Sequence, residues 1–318
     1  MHAVVLAEHE LCWEQRPDPI PGSTELLVAV RAAGVNGADI AQRKGLYPAP
    51  PNSPQDIPGL EFAGEVVSIG SQVTLYSPGD KVMALVGGGA QATLVVVDES
   101  HALSIPKSVT WMEAGGFPEA YSTAYDALFL QANLSAGERL LITGAAGGVG
   151  TAAIQIASKS GACVVASIRD DALANRHLVN QLEAIGADQV VCSSEIQDHG
   201  PYDVVLELVG ASNLSNELRS LNTGGKIVVI GVGAGAKSEI NLLEIMSKRA
   251  RIMGSTIRSR SKTDKALLTN AVSKHVLPLL ATRKIHVPIS ETFEMKDASA
   301  AYERFVAGSK LGKIILSV

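Results

Sequence analysis

The sequence predicts an α/β protein of two domains, one built on a doubly wound parallel sheet and the other rich in β-strands. The chain has 318 residues, a length that suggests two domains with sizeable cores. After about residue 111, short apolar strands alternate with helical stretches, which is the pattern of parallel βαβ units. Before that point, short strands separated by proline and glycine turns indicate a small barrel or sandwich.

The β-rich part opens the chain. Strands are predicted at residues 2–6, 25–31, 61–69, 81–86 and 91–97, and residues 34–43 predict a turn into a short helix. Residues 47–58 are predicted as a loop, because their prolines are incompatible with a regular helix or a central strand.

The second part alternates strands with helices. Strands are predicted at 139–143, 163–168, 189–192, 203–209, 226–231 and 251–255. Helices are predicted near 112–116, 122–131, 151–159, 172–185, 213–220 and 242–248. A helix at 264–280 and strands at 288–293 and 313–316 follow, and we expect this tail to rejoin the β-rich domain. The predicted domains are 1–118 with 262–318, and 119–261.

The segment LLITGAAGGVG at 140–150 joins the first of these strands to a helix. Gly144, Gly147 and Gly150 follow one another at three-residue spacing. In such a strand–turn–helix unit the first glycine permits a sharp turn, the second lets the backbone approach a pyrophosphate, and the third lets the helix pack on the sheet. Backbone N–H groups and the helix dipole would bind the anion. The loop favours a dinucleotide site, although a glycine-rich turn without a ligand has the same pattern.

Composition argues against several classes of function. The 27 basic and 32 acidic residues include no long basic run, so neither nucleic acid nor an anionic membrane is an expected partner. No apolar run reaches membrane-spanning length, and residues 1–14 lack the regions of a signal peptide. The three cysteines are scattered and form no CxxC pair, and we therefore expect a cytoplasmic protein.

Several stretches resemble the medium-chain dehydrogenase/reductase superfamily. They are AAGVNGADIAQRKGLY, PGLEFAGEVVSIGSQV, PGDKVMAL, PEAYSTAYDAL, GAAGGVGTAAIQIA and GKIIL, and together they cover most of the chain. The resemblance implies a GroES-like domain with an inserted Rossmann domain. Within the superfamily, the chain is similar to the zinc-free quinone oxidoreductases that include ζ-crystallin. The stretches YPAPP and GGGAQ, and residues 255–260 with Lys265 and Asn270, are similar to the tumour-suppressor-inducible quinone oxidoreductases.

The chain departs from the alcohol dehydrogenases of that superfamily at their zinc ligands. The resemblance puts Asn36 at the position of a ligand cysteine, and Leu60, before Glu61, at that of a ligand histidine. An amide and an isobutyl group cannot replace thiolate and imidazole in a zinc site, so we expect no metal. Alcohol oxidation by hydride transfer usually needs a Lewis acid, whereas a quinone or an α,β-unsaturated carbonyl is already electrophilic. We therefore expect reduction of such a small-molecule acceptor.

The resemblance implies two catalytic residues in the substrate cleft. Asn36 would face the nicotinamide, and Tyr47 would stand over the substrate. The amide of Asn36 can hydrogen-bond a ribose hydroxyl or a substrate oxygen, and the phenol of Tyr47 can donate to a developing quinol oxygen. Each residue also has a structural interpretation, Asn36 as a turn residue and Tyr47 as a loop anchor that packs on its prolines.

The residue after the second strand of the dinucleotide domain decides between NADPH and NADH. NAD-binding proteins carry an acid there, roughly 20 residues after the glycine loop, and the resemblance aligns Arg169 with that acid. A guanidinium binds the 2′-phosphate that a carboxylate would repel, so we expect NADPH, with Ser167 as a further hydroxyl contact. Asp170 and Asp171 follow immediately, and a shift of one residue would give the ribose to Asp170.

Further cofactor contacts are implied by the resemblance, residue by residue. Besides Gly144 and Gly147, they are Thr123, Gly148, Val149, Gly231, Val232, Ser255 and Lys313. An ordinary turn or packing role is the alternative for each of them.

The expected function is NADPH-dependent reduction of quinones or related enones. The alternatives are an enoyl-thioester or alkenal reductase, and an NADPH-binding protein with slight turnover. Relatives in the superfamily often pair through the edge of the nucleotide sheet, here residues 251–255. We therefore expect a homodimer or a tetramer, because an exposed apolar edge is costly unless it is paired.

Overall fold

The computed structural model describes all 318 residues, and the chain divides into two compact units. Unit 1 comprises Met1–Ser122, Ile257–Gly308 and Lys313–Val318, and unit 2 comprises Thr123–Thr256 and Ser309–Gly312. None of the helices combines the length and the apolar character that crossing a bilayer requires.

The elements are numbered in chain order. The strands are β1 (His2–Ala7), β2 (Glu10–Gln15), β3 (Glu25–Val35), β4 (Glu61–Ile69), β5 (Lys81–Leu85), β6 (Leu94–Asp98), β7 (Ala102–Ser104), β8 (Arg139–Ile142), β9 (Cys163–Ile168), β10 (Gln189–Cys192), β11 (Tyr202–Glu207), β12 (Leu221–Val229), β13 (Arg251–Gly254), β14 (Ile289–Glu294) and β15 (Lys313–Ser317). The helices are α1 (Gly37–Arg43), α2 (Trp111–Gly115), α3 (Pro118–Tyr125), α4 (Gly148–Lys159), α5 (Arg176–Ala184), α6 (Leu214–Arg219), α7 (Leu242–Lys248), α8 (Lys262–His275), α9 (Leu277–Ala281) and α10 (Ala298–Ala307).

Unit 1 is built on a seven-stranded, mainly antiparallel sheet. Its order is β14-β15-β3-β4-β5-β7, with β6 paired to β3, and β1 and β2 form a separate hairpin. In β3 buried side chains alternate with partly exposed ones along its first half, because one face of this segment covers the core. That core includes Val28, Phe62, Val82 and Leu316, and Tyr302 of α10 belongs to it. The β-rich domain is therefore confirmed.

Unit 2 is built on six parallel strands. Their order is β10-β9-β8-β11-β12-β13, and every neighbouring pair is parallel. The chain moves outward from β8 to one edge and then restarts beside β8 with β11, which confirms the predicted doubly wound sheet. Leu140, Leu141 and Ile142 of β8 are fully buried, as expected for the central strand. Residues 144–147 follow this strand at the point where the strand order reverses.

Several helix predictions are wrong in extent, and the reasons are local. The helix predicted at 172–185 begins only at Arg176, because Asn175 caps it and a 3₁₀ turn precedes it. The helix predicted at 264–280 is two helices, since Pro278 fits the first turn of α9 but not a helix interior. Residues 126–131 form a π-helix instead of continuing α3. Strands β2 and β7 and helix α10 were not predicted.

Candidate functional site

The glycine loop of unit 2 has the geometry of a close-approach turn. Gly144 adopts a φ of +58°, and the N–H of Gly147 bonds to the carbonyl of Gly144 at 3.0 Å. A Cβ on Gly150 would lie 2.6 Å from the carbonyl oxygen of Ala145, so only glycine fits there without a backbone shift. The three glycines therefore let β8 turn sharply into α4.

The N-terminus of α4 opens directly from this loop. Gly147 is its N-cap residue and offers no side chain to cap the first N–H groups, which belong to Gly148, Val149 and Gly150. The helix has 12 residues, and its positive dipole end lies at these N–H groups. A pyrophosphate fits this end of the helix, because backbone N–H groups and a partial positive charge are what an anion needs.

A segment from the end of the chain lies beside the loop. The N–H of Gly312 bonds to the carbonyl of Ala146 at 2.8 Å, and Gly312 also forms a bridge with Gly147. From this segment, the hydroxyl of Ser309 accepts a hydrogen bond from Nη2 of Arg169 at 3.0 Å. The side chain of Arg169 is 61% exposed, and its Nε lies 3.2 Å from Asp171.

The carboxylate of Asp170 is hydrogen-bonded to the turn after β10. Its Oδ1 accepts from the hydroxyl of Ser193 at 2.9 Å and from the N–H of Ser194 at 3.2 Å, at the turn that follows β10. These hydrogen bonds lower the pKa of the Asp170 carboxyl. Arg169 and Asp170 thus point to different neighbours, Arg169 to the segment beside the glycine loop and Asp170 to the adjacent strand end.

The other predicted cofactor residues of unit 2 lie at the ends of its strands or on α3. Ser167 is buried near the end of β9, and its carbonyl accepts the N–H of Ala145. Gly231 follows β12, and a Cβ there would lie 2.1 Å from the carbonyl oxygen of Leu208. The hydroxyl of Ser255 donates to Asp126 at 2.5 Å. Val232 is 54% exposed after β12, and Thr123 is buried on α3.

In unit 1, Asn36 and Lys313 meet at a buried carboxylate. Nζ of Lys313 lies 2.6 Å from Oε1 of Glu61 and 2.5 Å from Oδ1 of Asn36. Nδ2 of Asn36 donates to the same Glu61 oxygen at 2.9 Å, and Oε2 of Glu61 accepts the N–H of Glu119 at 2.8 Å. Lys313, predicted as a cofactor contact, has its ammonium bound to these acceptors.

Asp39 holds the backbone around Asn36. Its carboxylate accepts the N–H of Asn36 at 2.8 Å and the N–H of Gly59 at 3.2 Å. Burial raises the pKa of Asp39 to about 6, although these hydrogen bonds and the charges of Lys313 and Arg258 act in the opposite direction. The start of α1 is thus fixed by an acid that is partly protonated near neutral pH.

Tyr47 is anchored by a buried arginine. The guanidinium of Arg258 lies 5.2 Å from the centroid of the Tyr47 ring, and Nη1 donates to the Tyr47 carbonyl at 3.0 Å. Nε of Arg258 donates to the carbonyl of Gly87 at 2.7 Å, and Nη2 of Arg258 donates to Oε1 of Gln42 at 2.6 Å. Arg258 therefore ties the loop that carries Tyr47 to α1 and to the end of β5.

The chain matches two known domain families, one within unit 1 and one mainly within unit 2. Residues 22–107 match the alcohol dehydrogenase GroES-like domain family, and residues 148–273 match the zinc-binding dehydrogenase family. The quinone oxidoreductase of Mus musculus is 32% identical over 314 residues, which cover 94% of this chain and 90% of that protein. The chain belongs to the medium-chain dehydrogenase/reductase superfamily.

Two further relatives bear on chemistry. The crystal structure of the quinone oxidoreductase from Thermus thermophilus, solved also as its complex with NADPH, has a TM-score of 0.85, 28% identity and full coverage of both chains. A segment of polyketide synthase GfsB from Streptomyces halstedii is 31% identical over 299 residues, 92% of this chain and 5% of that protein. The protein is therefore an oxidoreductase of the superfamily, and this membership implies a nicotinamide cofactor.

The residues present fit such a cofactor. Gly144 has a positive φ that favours glycine, Gly150 leaves no room for a Cβ, and the first N–H groups of α4 have no side-chain cap. No group of three or more His, Cys, Asp or Glu side chains is placed to hold a metal ion. Of the two residues that the sequence resemblance puts at the zinc-ligand positions of alcohol dehydrogenases, Asn36 belongs to the Glu61–Lys313 cluster and Leu60 is 1% exposed.

Four residues of these sites were missed from the sequence. Glu61 and Asp39 are charged residues that are fully buried, and a carboxylate within the apolar stretch GLEFAGEV is a signal that could have identified Glu61. Arg258 and Ser309 lie far along the chain from the residues they contact, and no local pattern marks them. Only the fold brings them to their partners.

Proposed function

We propose that the protein reduces quinones or related α,β-unsaturated carbonyls with NADPH and without a metal ion. The observation that carries the proposal is the chemistry at the zinc-ligand positions. There Asn36 is held by Glu61 and Lys313, and Leu60 offers no donor atom. An electrophilic acceptor suits such a site, because its reduction needs a positioned hydride donor and a proton source but no Lewis acid.

The groups of the chain have separate tasks in this reaction. NADPH, when bound, supplies the hydride. The N–H groups of Gly148 and Val149 bind the pyrophosphate at the start of α4. Arg169 binds the 2′-phosphate by a charge-assisted hydrogen bond. Tyr47, whose loop Arg258 holds in place, donates a hydrogen bond to the oxygen of the acceptor, on which negative charge develops during reduction.

The choice of NADPH over NADH is supported by the different partners of Arg169 and Asp170. Arg169 reaches the segment that lies beside the glycine loop, whereas Asp170 is bound to the turn after β10. A carboxylate already engaged by a hydroxyl and an N–H group is a poor ligand for the ribose hydroxyls of NADH. The guanidinium of Arg169 is 61% exposed, and a phosphate would replace its contacts with the Asp171 carboxylate and the Ser309 hydroxyl.

Fluorescence titration with both nucleotides tests this assignment. Arg169→Ala should weaken NADPH binding about ten- to a hundredfold and leave NADH binding nearly unchanged, because NADH lacks the phosphate. Arg169→Asp should weaken NADPH binding further. Asp170→Ala is the matched control. If Asp170→Ala weakens NADH binding and Arg169→Ala leaves NADPH binding intact, the ribose belongs to Asp170 and the NADPH assignment fails.

Enoyl-thioester reduction is the second candidate, and the similarity to a segment of a polyketide synthase favours it. Both reactions deliver a hydride to an unsaturated carbonyl, so they differ only in the acceptor. Steady-state oxidation of NADPH with 1,4-naphthoquinone, an alkenal and crotonyl-CoA separates them by kcat/KM. A protein that binds NADPH but turns over none of these acceptors would contradict both reductase proposals and favour a nucleotide-binding, redox-responsive role.

A further inference from the structure

A buried ion pair holds the amide of Asn36 in one orientation. Nζ of Lys313 lies against Oδ1 of Asn36 and Oε1 of Glu61, and it also reaches the carbonyl oxygen of Val35 at 3.2 Å. Nδ2 of Asn36 donates to Glu61. Asn36 is 8% exposed, Lys313 is 4% exposed and Glu61 is fully buried, so water does not compete for these groups.

The reversed amide is excluded by charge. Turning it by 180° would place Nδ2 against the ammonium of Lys313 and Oδ1 against the carboxylate of Glu61, so two hydrogen bonds would become two repulsive contacts. The three protons of Lys313 already have three acceptors. The second N–H of Asn36 is different, because its nearest acceptor, the carbonyl of Gly34, lies at a long 3.4 Å.

We propose that Glu61 and Lys313 are positioning residues that make Asn36 a dedicated hydrogen-bond donor to the oxygen of the carbonyl acceptor. The proposal rests on the proposed function, because carbonyl reduction is what develops negative charge on that oxygen. A donor that is already fixed stabilises this charge without reorganising as it develops. Lys313 acts only through Asn36, since its own protons are taken.

The carboxylate of Glu61 packs against residue 34, where only glycine leaves room for it. A Cβ at residue 34 would lie 2.2 Å from Oε1 of Glu61 and 2.8 Å from its carboxyl carbon. Gly34→Ala therefore displaces the carboxylate while it leaves Asn36, Glu61 and Lys313 chemically intact. This variant tests the orientation of the amide independently of any change to the three side chains.

The decisive variant exchanges the amide and the carboxylate. In Asn36→Asp with Glu61→Gln, the charge of the cluster is unchanged, Lys313 keeps an anionic partner, and the amide introduced at position 61 can donate to the new carboxylate at position 36. The chain should fold as before, but position 36 then carries only acceptors. We expect kcat with 1,4-naphthoquinone to fall roughly 100-fold, KM for NADPH to change less than about threefold, and the thermal unfolding midpoint to stay near that of the wild type.

The control removes a comparable ion pair elsewhere in unit 1. Arg283 pairs with Glu113, a largely buried carboxylate that touches neither Asn36 nor Glu61 in the described contacts. Arg283→Met should lower the unfolding midpoint and leave kcat unchanged.

Lys313→Met combined with Glu61→Gln should lower kcat. Adding Asn36→Ala to that variant should lower kcat little further, because the amide has already lost its orientation.

A readout without turnover separates this inference from the proposed function. 4-Nitrophenolate carries an oxyanion and cannot accept a hydride, so its binding to the NADP⁺-loaded protein reports hydrogen-bond donation without turnover, and the exchanged variant changes the donor at position 36. We expect the exchanged variant to bind it at least about tenfold more weakly than the wild type does. Unchanged phenolate affinity or unchanged kcat in the exchanged variant would overturn the inference. Weakened phenolate binding in a protein that reduces no acceptor would overturn the proposed function and keep the donor assignment.

Discussion

At the scale of single residues, the carboxyl of Asp39 couples the site around Asn36 to pH. Burial raises its pKa from 3.8 to about 6, against the hydrogen bonds from Asn36 and Gly59 and the charges of Lys313 and Arg258. The folded state therefore holds this proton more tightly than the unfolded chain does. The resulting stability is fully present below pH 3.8 and is lost as the pH rises through about 6.

Asp39→Asn should remove that dependence. The shift in pKa corresponds to about 3 kcal/mol in the free energy of unfolding. From pH 4 to pH 7, the unfolding free energy of the variant should therefore rise relative to that of the wild type by up to this amount. Urea unfolding at four pH values measures it, and exposed Asp198→Asn is the control. A difference that stays constant over this range would contradict the assignment.

The carboxyl of Glu217 on α6 makes the unfolding free energy depend on pH in the same direction as Asp39 does, over a wider pH range. It is fully buried, neither carboxyl oxygen has a hydrogen-bond donor, and burial together with the neighbouring Glu207 raises its pKa to about 10. Glu217→Gln, neutral at every pH, should match the wild type near pH 4, and its unfolding free energy should exceed that of the wild type increasingly as the pH rises from 4.5 to 9. Chemical unfolding at the two pH values checks this. If the difference in unfolding free energy between the variant and the wild type is the same at both pH values, Glu217 is ionised in the folded protein at the higher pH and its pKa is not raised.

The sequence predicts some site residues and not their partners. Asn36 and the glycines could be found because each stands in a local motif. Glu61 was noticed only as the neighbour of Leu60, and its role depends on a pairing with Lys313 that spans most of the chain. Such pairings follow from the sheet in which β15 lies beside β3, and no short pattern encodes them.

At the scale of elements, the turn from β8 into α4 depends on the absence of a side chain at residue 150. Gly150→Ala would press a Cβ against the backbone of Ala145, so the loop must shift. We expect a loss of about 1–3 kcal/mol in unfolding free energy and NADPH binding weakened at least about tenfold. Gly254→Ala is the control, because the nearest atom to its Cβ is 3.9 Å away. Unaltered NADPH affinity in Gly150→Ala would remove the loop from the cofactor site.

Strands and their order were more predictable than helix ends. The buried strands of unit 2 are short apolar runs, and the parallel arrangement follows from their alternation with helices. Helix ends depend on single residues, such as Asn175 and Pro278, whose effects compete with an otherwise helical composition. The short strands β2 and β7 are defined by their partners, which a local pattern does not contain.

At the scale of the whole molecule, we propose a homodimer that forms through the edge of the parallel sheet. β13 ends the sheet and pairs only with β12, and the preceding helix α7 exposes Leu242, Leu243 and Met246 by 69%, 72% and 70%. An open strand edge beside apolar side chains favours association with a second copy.

Light scattering at micromolar concentration tests the dimer. It should give twice the chain mass of 33.2 kDa, and Leu243→Glu with Met246→Glu should shift the mass toward one chain. Leu267→Glu, at a leucine of α8 that is 64% exposed, should leave the mass unchanged. A wild type with the mass of a single chain would contradict the dimer.

Metal-free, NADPH-dependent reduction of a quinone can be tested by one rate measurement. The protein is dialysed exhaustively against a chelator, analysed for zinc, and assayed for NADPH oxidation with 1,4-naphthoquinone. We expect an unchanged kcat, no stoichiometric zinc before or after dialysis, and a kcat/KM for NADPH at least about tenfold above that for NADH. One zinc per chain, lost on dialysis together with the activity, would contradict it.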